Sequence, residues 1–231
     1  MIPLRDTIPS RRFPLVNTAI IVLNVLVFLF ESALGPEQLD QFIWQWGLVP
    51  ADFWQGGGIG RWLPLLTSVF MHGGWWHLIS NMLALYIFGD NVEDRLGTFR
   101  YVLFYLVSGL AASAAHLVAY AGSSIPTVGA SGAIAGVLGA YLILYPHSRV
   151  LTLVPIFYFI RIVEIPASIY LGFWFISQLF NGVFALTATD VFQTGGVAWW
   201  AHIGGFVFGL AVIKLICPRP CRTYADEYRP W

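Results

Sequence analysis

Six runs of apolar residues, each close to the length that crosses a bilayer, constrain this chain more than anything else in it. They cover about 14–30, 72–89, 99–120, 128–145, 163–186 and 199–217. A helix needs about 20 mostly apolar residues to cross the hydrocarbon core. A transmembrane barrel would show segments of about ten residues with alternating polarity; these runs are too long and too uniform. In lipid the backbone must pair within its own segment, so the runs read as helices. The expected fold class is an all-α membrane protein with six transmembrane helices in a single domain, 1–231. The lipid bilayer is then its first partner. Composition agrees: 58% of residues are hydrophobic and 10% charged, against about 45–50% and 25% in soluble domains. Disorder is excluded, because it needs low hydrophobicity and high charge. Two cysteines in 231 residues exclude a small disulfide scaffold. Zero net charge and no basic stripe argue for no nucleic-acid partner.

Orientation follows from Lys and Arg, which concentrate in inner loops. With the N-terminus inside, eleven of the twelve fall on inner segments and only Arg61 falls outside. Both termini are therefore expected in the cytoplasm, given a plasma membrane. The first run follows Arg11 and Arg12 but ends at Glu31-Ser32 without a clear small-x-small site, so it reads as a retained helix.

Two connecting segments are unusual. The outer loop 31–71 is rich in Trp and Phe, residues that favour the membrane interface. It is expected to lie partly in the outer leaflet on short helices. The inner segment 146–162 is apolar but interrupted by Pro155. It reads as a re-entrant or interfacial piece, or as part of a longer fifth helix. At the inner end of the last run, Cys217 and Cys221 flank Pro218 and Pro220. A reducing cytosol argues against a disulfide there, and two cysteines are an incomplete zinc site.

Polar groups inside spanning helices are expensive, so each is a functional hypothesis. The second run opens with His72, His77 and Asn81, the last two on one helix face. The fourth opens Gly129-Ala-Ser131-Gly132, and the sixth carries His202, Gly205 and Gly209. All three runs cross from outside to inside. Counting from the run starts, His77, Asn81, Ser131 and His202 lie roughly 5–14 Å below the outer surface. The topology argument used none of them, so their shared depth points to one site.

A serine hydroxyl becomes a nucleophile when a base takes its proton. Ser131 and His202 supply that pair. A buried imidazole with no carboxylate beside it stays neutral, as a base must. Asp190 is the only acid near in sequence, so a dyad is expected rather than a triad. The developing oxyanion needs donors: the Asn81 amide, the His77 ring N–H and the Ser131 backbone N–H. Gly129 and Gly132 would let substrate backbone approach Ser131.

Structural readings compete for several of these residues. Ser131 lies in a Gly/Ala-rich stretch, and small residues serve helix packing in membranes. Gly205 and Gly209 form a G-x-x-x-G step that reads as packing. His72 and His116 read as hydrogen-bonded structural histidines. Phe173, Trp174, Phe175 and Phe180 of the fifth run read as lipid-facing or packing residues. A metal site is disfavoured by the absence of H-E-x-x-H. A transporter would show an internal repeat and charged mid-membrane residues, and neither is evident.

The motifs taken together resemble one family. Gly129-Ala130-Ser131-Gly132 resembles the G-x-S-G signature of rhomboid intramembrane serine proteases. His72, His77 and Asn81 resemble that family's second-helix motif; Ala201-His202, Gly205 and Gly209 resemble its sixth-helix motif. Glu93, Arg95 and Gly97 resemble its E-x-R-x-G element, and Arg61-Trp62 its first outer loop. The resemblance implies a six-helix rhomboid-like bundle with Ser131 as nucleophile and His202 as general base. It implies an oxyanion hole from His77, Asn81 and the Ser131 backbone, and no metal or organic cofactor. It implies single-pass membrane proteins as substrates, cut near the outer face, with the fifth helix and the loop after it gating their entry. A bacterial or archaeal plasma membrane is the expected location. Oligomeric state is left open. The alternative is an inactive protein of the same fold that binds membrane proteins. One position departs from the pattern. Some family members carry an aromatic residue four positions after the serine, stacked on the histidine; here it is Ala135. The His202 ring must then be oriented by packing at Gly205 or by another aromatic.

Overall fold

The computed structural model describes residues 1–156, 159–187 and 196–217. Among the described residues four helices are long and apolar enough to cross a membrane: α1 (Leu15–Ala33), α7 (Thr98–Ala119), α9 (Ala167–Thr187) and α10 (Trp199–Ile216). A fifth apolar helix, α8 (Ser131–Leu144), has 14 residues. The second apolar run is helical from Trp75 to Leu96 in three pieces: α5 (Trp75–Ala84), a π turn (Leu85–Gly89) and α6 (Asp90–Leu96). The π turn has a physical partner. Asn17 of α1 donates to the Leu85 carbonyl at 2.9 Å, and Tyr101 donates to the Asn17 oxygen at 2.8 Å. Gly89 makes room for this pair, since a Cβ there would lie 2.2 Å from the Asn17 oxygen.

The outer loop carries α2 (Pro36–Trp46), α3 (Pro50–Gln55) and α4 (Pro64–Thr67), with 3-10 turns beside α4. Arg61 organises it. Its guanidinium donates to the Gly56 carbonyl at 2.8 Å and lies over the Phe53 and Trp62 rings. The loop docks on the segment before α8 through a Leu48–Thr127 bridge.

The structure corrects the all-helical expectation. β1 (Ile2–Asp6), β2 (Arg149–Ile156) and β3 (Phe159–Pro166) form an antiparallel sheet in the order β1-β2-β3. Residues 149–156 and 159–166 are thus strands rather than part of a longer fifth helix, and the helix of the fifth run starts at Ala167 rather than Val163. Every residue of β3 from Phe159 to Glu164 is exposed, so no buried face imposed a clean period on the sequence. The sheet is tied to the bundle by Asp6, which accepts hydrogen bonds from Tyr141 of α8 and from Asn91 of α6.

The E-x-R-x-G element braces the same end. Glu93 accepts the Val16 and Asn17 backbone N–H groups at 3.0 and 2.8 Å, capping the first turn of α1, where a negative charge is favoured. Arg95 donates to the Tyr145 hydroxyl and lies over its ring. Gly97 turns the chain into α7 at φ +75°. Cys217 follows α10 and is buried. Cys221 lies outside the described residues.

Candidate active site

Ser131 is the first residue of α8, not several residues inside it as counting from 128 implied. Its backbone N–H therefore belongs to a first helical turn, where N–H groups have no intrahelical acceptor and the helix dipole is positive. A 14-residue helix is about 21 Å long, shorter than the roughly 30 Å core, so its two ends cannot both reach the membrane surfaces. The loop feeding Ser131 is pinned by the Gly129 N–H, which donates to the Ser68 carbonyl at 2.9 Å.

His202 is buried near the start of α10. Its Nε2 lies 2.7 Å from the Ser131 Oγ. Two helices far apart in sequence thus bring the expected nucleophile and base into hydrogen-bond contact. The other ring nitrogen, Nδ1, lies 2.7 Å from the Gln178 amide oxygen on α9. The Trp174 ring tilts against the imidazole with centroids 5.8 Å apart and planes at 34°. Trp174 and Gln178 are four apart, so they share a face of α9. This face meets the histidine where Ala135 offers no ring. Asp190 lies outside the described residues.

His77 and Asn81, both on α5, line a cavity of about 600 Å³ together with Ser131, His202 and Trp174. Asn81 is buried, and its amide Nδ2 has no hydrogen-bond partner among the described residues. His77 Nδ1 accepts the Gly73 N–H at 3.4 Å, which leaves Nε2 as the protonated nitrogen of a neutral ring. That nitrogen faces Gly129. A Cβ at Gly129 would lie 2.8 Å from it, and the backbone φ there is +141°. Gly129 therefore makes room for the His77 ring beside the serine. Gly132 serves packing in the structure: it is buried, and a Cβ there would sit 2.6 Å from the Ala112 side chain.

Gly205 and Gly209 press on α8. A Cβ at Gly205 would lie 2.0 Å from the Gly132 carbonyl oxygen, and one at Gly209 the same distance from that of Gly136. This backbone-to-backbone seam fixes the distance between the helices that carry serine and histidine. His116 pairs with the Thr127 hydroxyl at 2.8 Å and lines the cavity wall. His72 packs edge-on against His77, and its backbone N–H donates to Glu31. Among the described residues no three metal-ligating side chains converge.

Gln178 and the contact of Trp174 with the site escaped the sequence reading. The fifth run is so rich in Phe and Trp that it was assigned to lipid and packing. A signal was present, since Ser177, Gln178 and Asn181 place polar groups inside a spanning helix.

Serine, imidazole and amide side chains thus meet around one cavity among apolar helices. Comparison with known proteins gives the family. The Rhomboid domain family matches residues 59–219. The chain is 30% identical over 199 residues to Rhomboid protein 1, mitochondrial, of Saccharomyces cerevisiae, covering 83% of this chain and 50% of that protein. It is 38% identical over 146 residues to Rhomboid protease GluP of Bacillus subtilis, covering 59% and 28%. It is 31% identical over 132 residues to Putative rhomboid protease YdcA of the same organism, covering 57% and 63%. The chain thus spans between about a quarter and two thirds of the length of these relatives. It belongs to the rhomboid family and is an integral membrane protein. The narrower expectation of a bacterial or archaeal plasma membrane gains no support from relatives that include mitochondrial proteins.

Proposed function

We propose that this chain is an intramembrane serine endopeptidase acting through Ser131 and His202. The observation that carries the reading is the 2.7 Å contact between Ser131 Oγ and His202 Nε2 on the wall of a 600 Å³ cavity. In this mechanism Oγ attacks a peptide carbonyl while Nε2 takes its proton. The negative oxygen is held by the Asn81 Nδ2, the His77 Nε2–H and the Ser131 backbone N–H. His202 returns the proton to the leaving amine, and an acyl-enzyme remains on Ser131. Water activated by the same imidazole then releases it. Asn81 supports the oxyanion assignment because its buried donor has no partner among the described residues, a state that costs free energy unless function uses it.

The substrates are transmembrane segments of single-pass membrane proteins, cut near the outer face. They enter between α5 and α9, where α9 turns Phe173, Ile176, Phe180 and Phe184 outward. The remaining crossings are the helical run 75–96 and the short α8, giving six in all, with both ends in the compartment that holds the inner-loop arginines.

The test is labelling by a fluorophosphonate, which reacts with an activated serine. Wild-type protein in detergent is expected to label, and Ser131→Ala and His202→Ala to lose labelling. Undiminished labelling of either folded variant would overturn the mechanism.

A further inference from the structure

We propose that Gln178 is the positioning residue of the site: its amide oxygen holds the Nδ1–H of His202, so that Nε2 stands free to take the Ser131 proton. The proposal rests on the Ser131–His202 reading above and extends it to a third group on a third helix.

The argument is an account of donors and acceptors. Ser177 Oγ donates to the Trp174 carbonyl at 2.6 Å. Its hydroxyl hydrogen is thereby spent, and its lone pairs are left to accept. The Gln178 Nε2 donates to Ser177 Oγ at 3.1 Å and lies 3.3 Å from the Trp174 carbonyl. Both neighbours on that side are acceptors, so the NH₂ end of the amide must face them and the oxygen must face His202. An amide oxygen only accepts. The nitrogen 2.7 Å from it, His202 Nδ1, must therefore carry the proton. In a neutral ring the other nitrogen is then bare, and it is the one 2.7 Å from Ser131 Oγ. Gln178 is itself buried. The chain runs from a backbone carbonyl through Ser177, Gln178 and His202 to the nucleophile, with each link choosing the next one's proton.

A carboxylate would fix the same tautomer, but a buried charge in the membrane costs several kcal/mol more than a paired amide. The amide supplies orientation without that charge. When Nε2 takes the serine proton, the Nδ1–H···O bond becomes charge-assisted and strengthens. The tilted Trp174 ring lies against one side of the imidazole, while the amide limits its rotation. Gln178 touches neither substrate nor the reacting atoms, so its effect passes through His202.

The experiment has two arms on the full chain in detergent micelles. In the first, the fluorophosphonate labelling rate is compared for wild type, Gln178→Leu and Gln178→Glu. Removing the outer hydrogen-bond partner of a metal-bound histidine costs about 10–100-fold, and the same kind of bond here sets the order of the loss. That loss is expected in Gln178→Leu, with most of the rate restored in Gln178→Glu, which keeps the acceptor. In the second, nitrogen-15 NMR of histidine-labelled protein reads the His202 tautomer; with five histidines, His202→Ala assigns the signal. Wild type is expected to show protonated Nδ1 and bare Nε2, and Gln178→Leu to shift toward protonated Nε2. A wild-type His202 with protonated Nε2 overturns the proposal whether or not Gln178→Leu folds. So does a folded Gln178→Leu that labels at the wild-type rate. If instead Ser131→Ala labels like wild type, the underlying mechanism fails, and the tautomer arm still decides the role of Gln178.

Discussion

Helices α8 and α10 meet backbone to backbone, whereas α9 reaches the same site with side chains alone. On the first contact Gly139, Gly205 and Gly209 leave no space for a methyl group. On α9, Gly172 has nothing within 4 Å of where a Cβ would stand, and much of its length faces outward. Yet both regions hold His202, one through its backbone and the other through Trp174 and Gln178. Ser131 and His202 thus sit on the backbone seam, while the side chains that contact the imidazole sit on a helix that is largely exposed. Under the proposed mechanism such a site keeps its nucleophile-to-base spacing when α9 shifts, and loses the aim of its base.

The comparison can be broken most forcefully at the seam. Gly205→Val places a branched side chain where even a Cβ lies 2.0 Å from a carbonyl oxygen. Overpacking of well-packed interiors costs about 1–3 kcal/mol, and a clash with backbone falls at or beyond the upper end. The expected result is a large fall in melting temperature in detergent. Gly172→Ala is the matched control on α9, expected to change stability by no more than about 1 kcal/mol. Equal damage from the two would show that the helices are held alike.

Asn81→Ala tests the opposite wall of the cavity. Loss of one oxyanion donor costs about 10²–10³ in kcat, with the neighbouring His77 expected to hold the loss to the lower end. Folding should be unaffected, since the Asn81 Nδ2 makes no hydrogen bond within the described residues. A variant with full turnover would remove Asn81 from the mechanism.

The smallest effect is expected where the sheet meets the bundle. Burial pushes the Asp6 carboxyl up to about 7, against the hydrogen bond from Tyr141, with Asp90 nearby adding to the rise. An unfolded aspartate titrates near 3.9. The folded state therefore binds this proton more tightly, and its stabilising contribution is complete below about pH 4. It is lost as the pH rises to about 7 and is constant above that. Hydrogen exchange of the β1 and β2 amides, corrected for intrinsic rates, should show firmer protection at pH 5 than at pH 8. Asp6→Asn should flatten the difference; an unchanged pH dependence in that variant would place its origin elsewhere.

How much of this was legible beforehand depends on how far each signal travels along the chain. Ser131, His202, His77 and Asn81 could be singled out because each sits in a short local motif and breaks an apolar run. On the α10 side of the seam Gly205 and Gly209 were legible through their four-residue spacing. Gln178 was hidden among Phe and Trp, and its partner lies on another helix, so only the assembled structure shows what its oxygen faces. The sheet was missed for a different reason. Its third strand is exposed and its first is five residues long, so neither carries a buried face that would write a period into the sequence. The π turn at Leu85–Gly89 answers to Asn17 of another helix, a cause that no local pattern records.

The sheet also sets an order of events during synthesis. β1 pairs with residues about 150 positions downstream, Ile2 opposite Leu153. At ribosomal speeds of about 5–20 residues per second, its partner emerges roughly 8–30 s later. Through that interval α1, α7 and α8 are made while β1 waits with its backbone unpaired, a natural template for the wrong neighbour. The hairpin that captures it leads directly into α9, so β1 can find its place before the helix proposed to aim the base has been made.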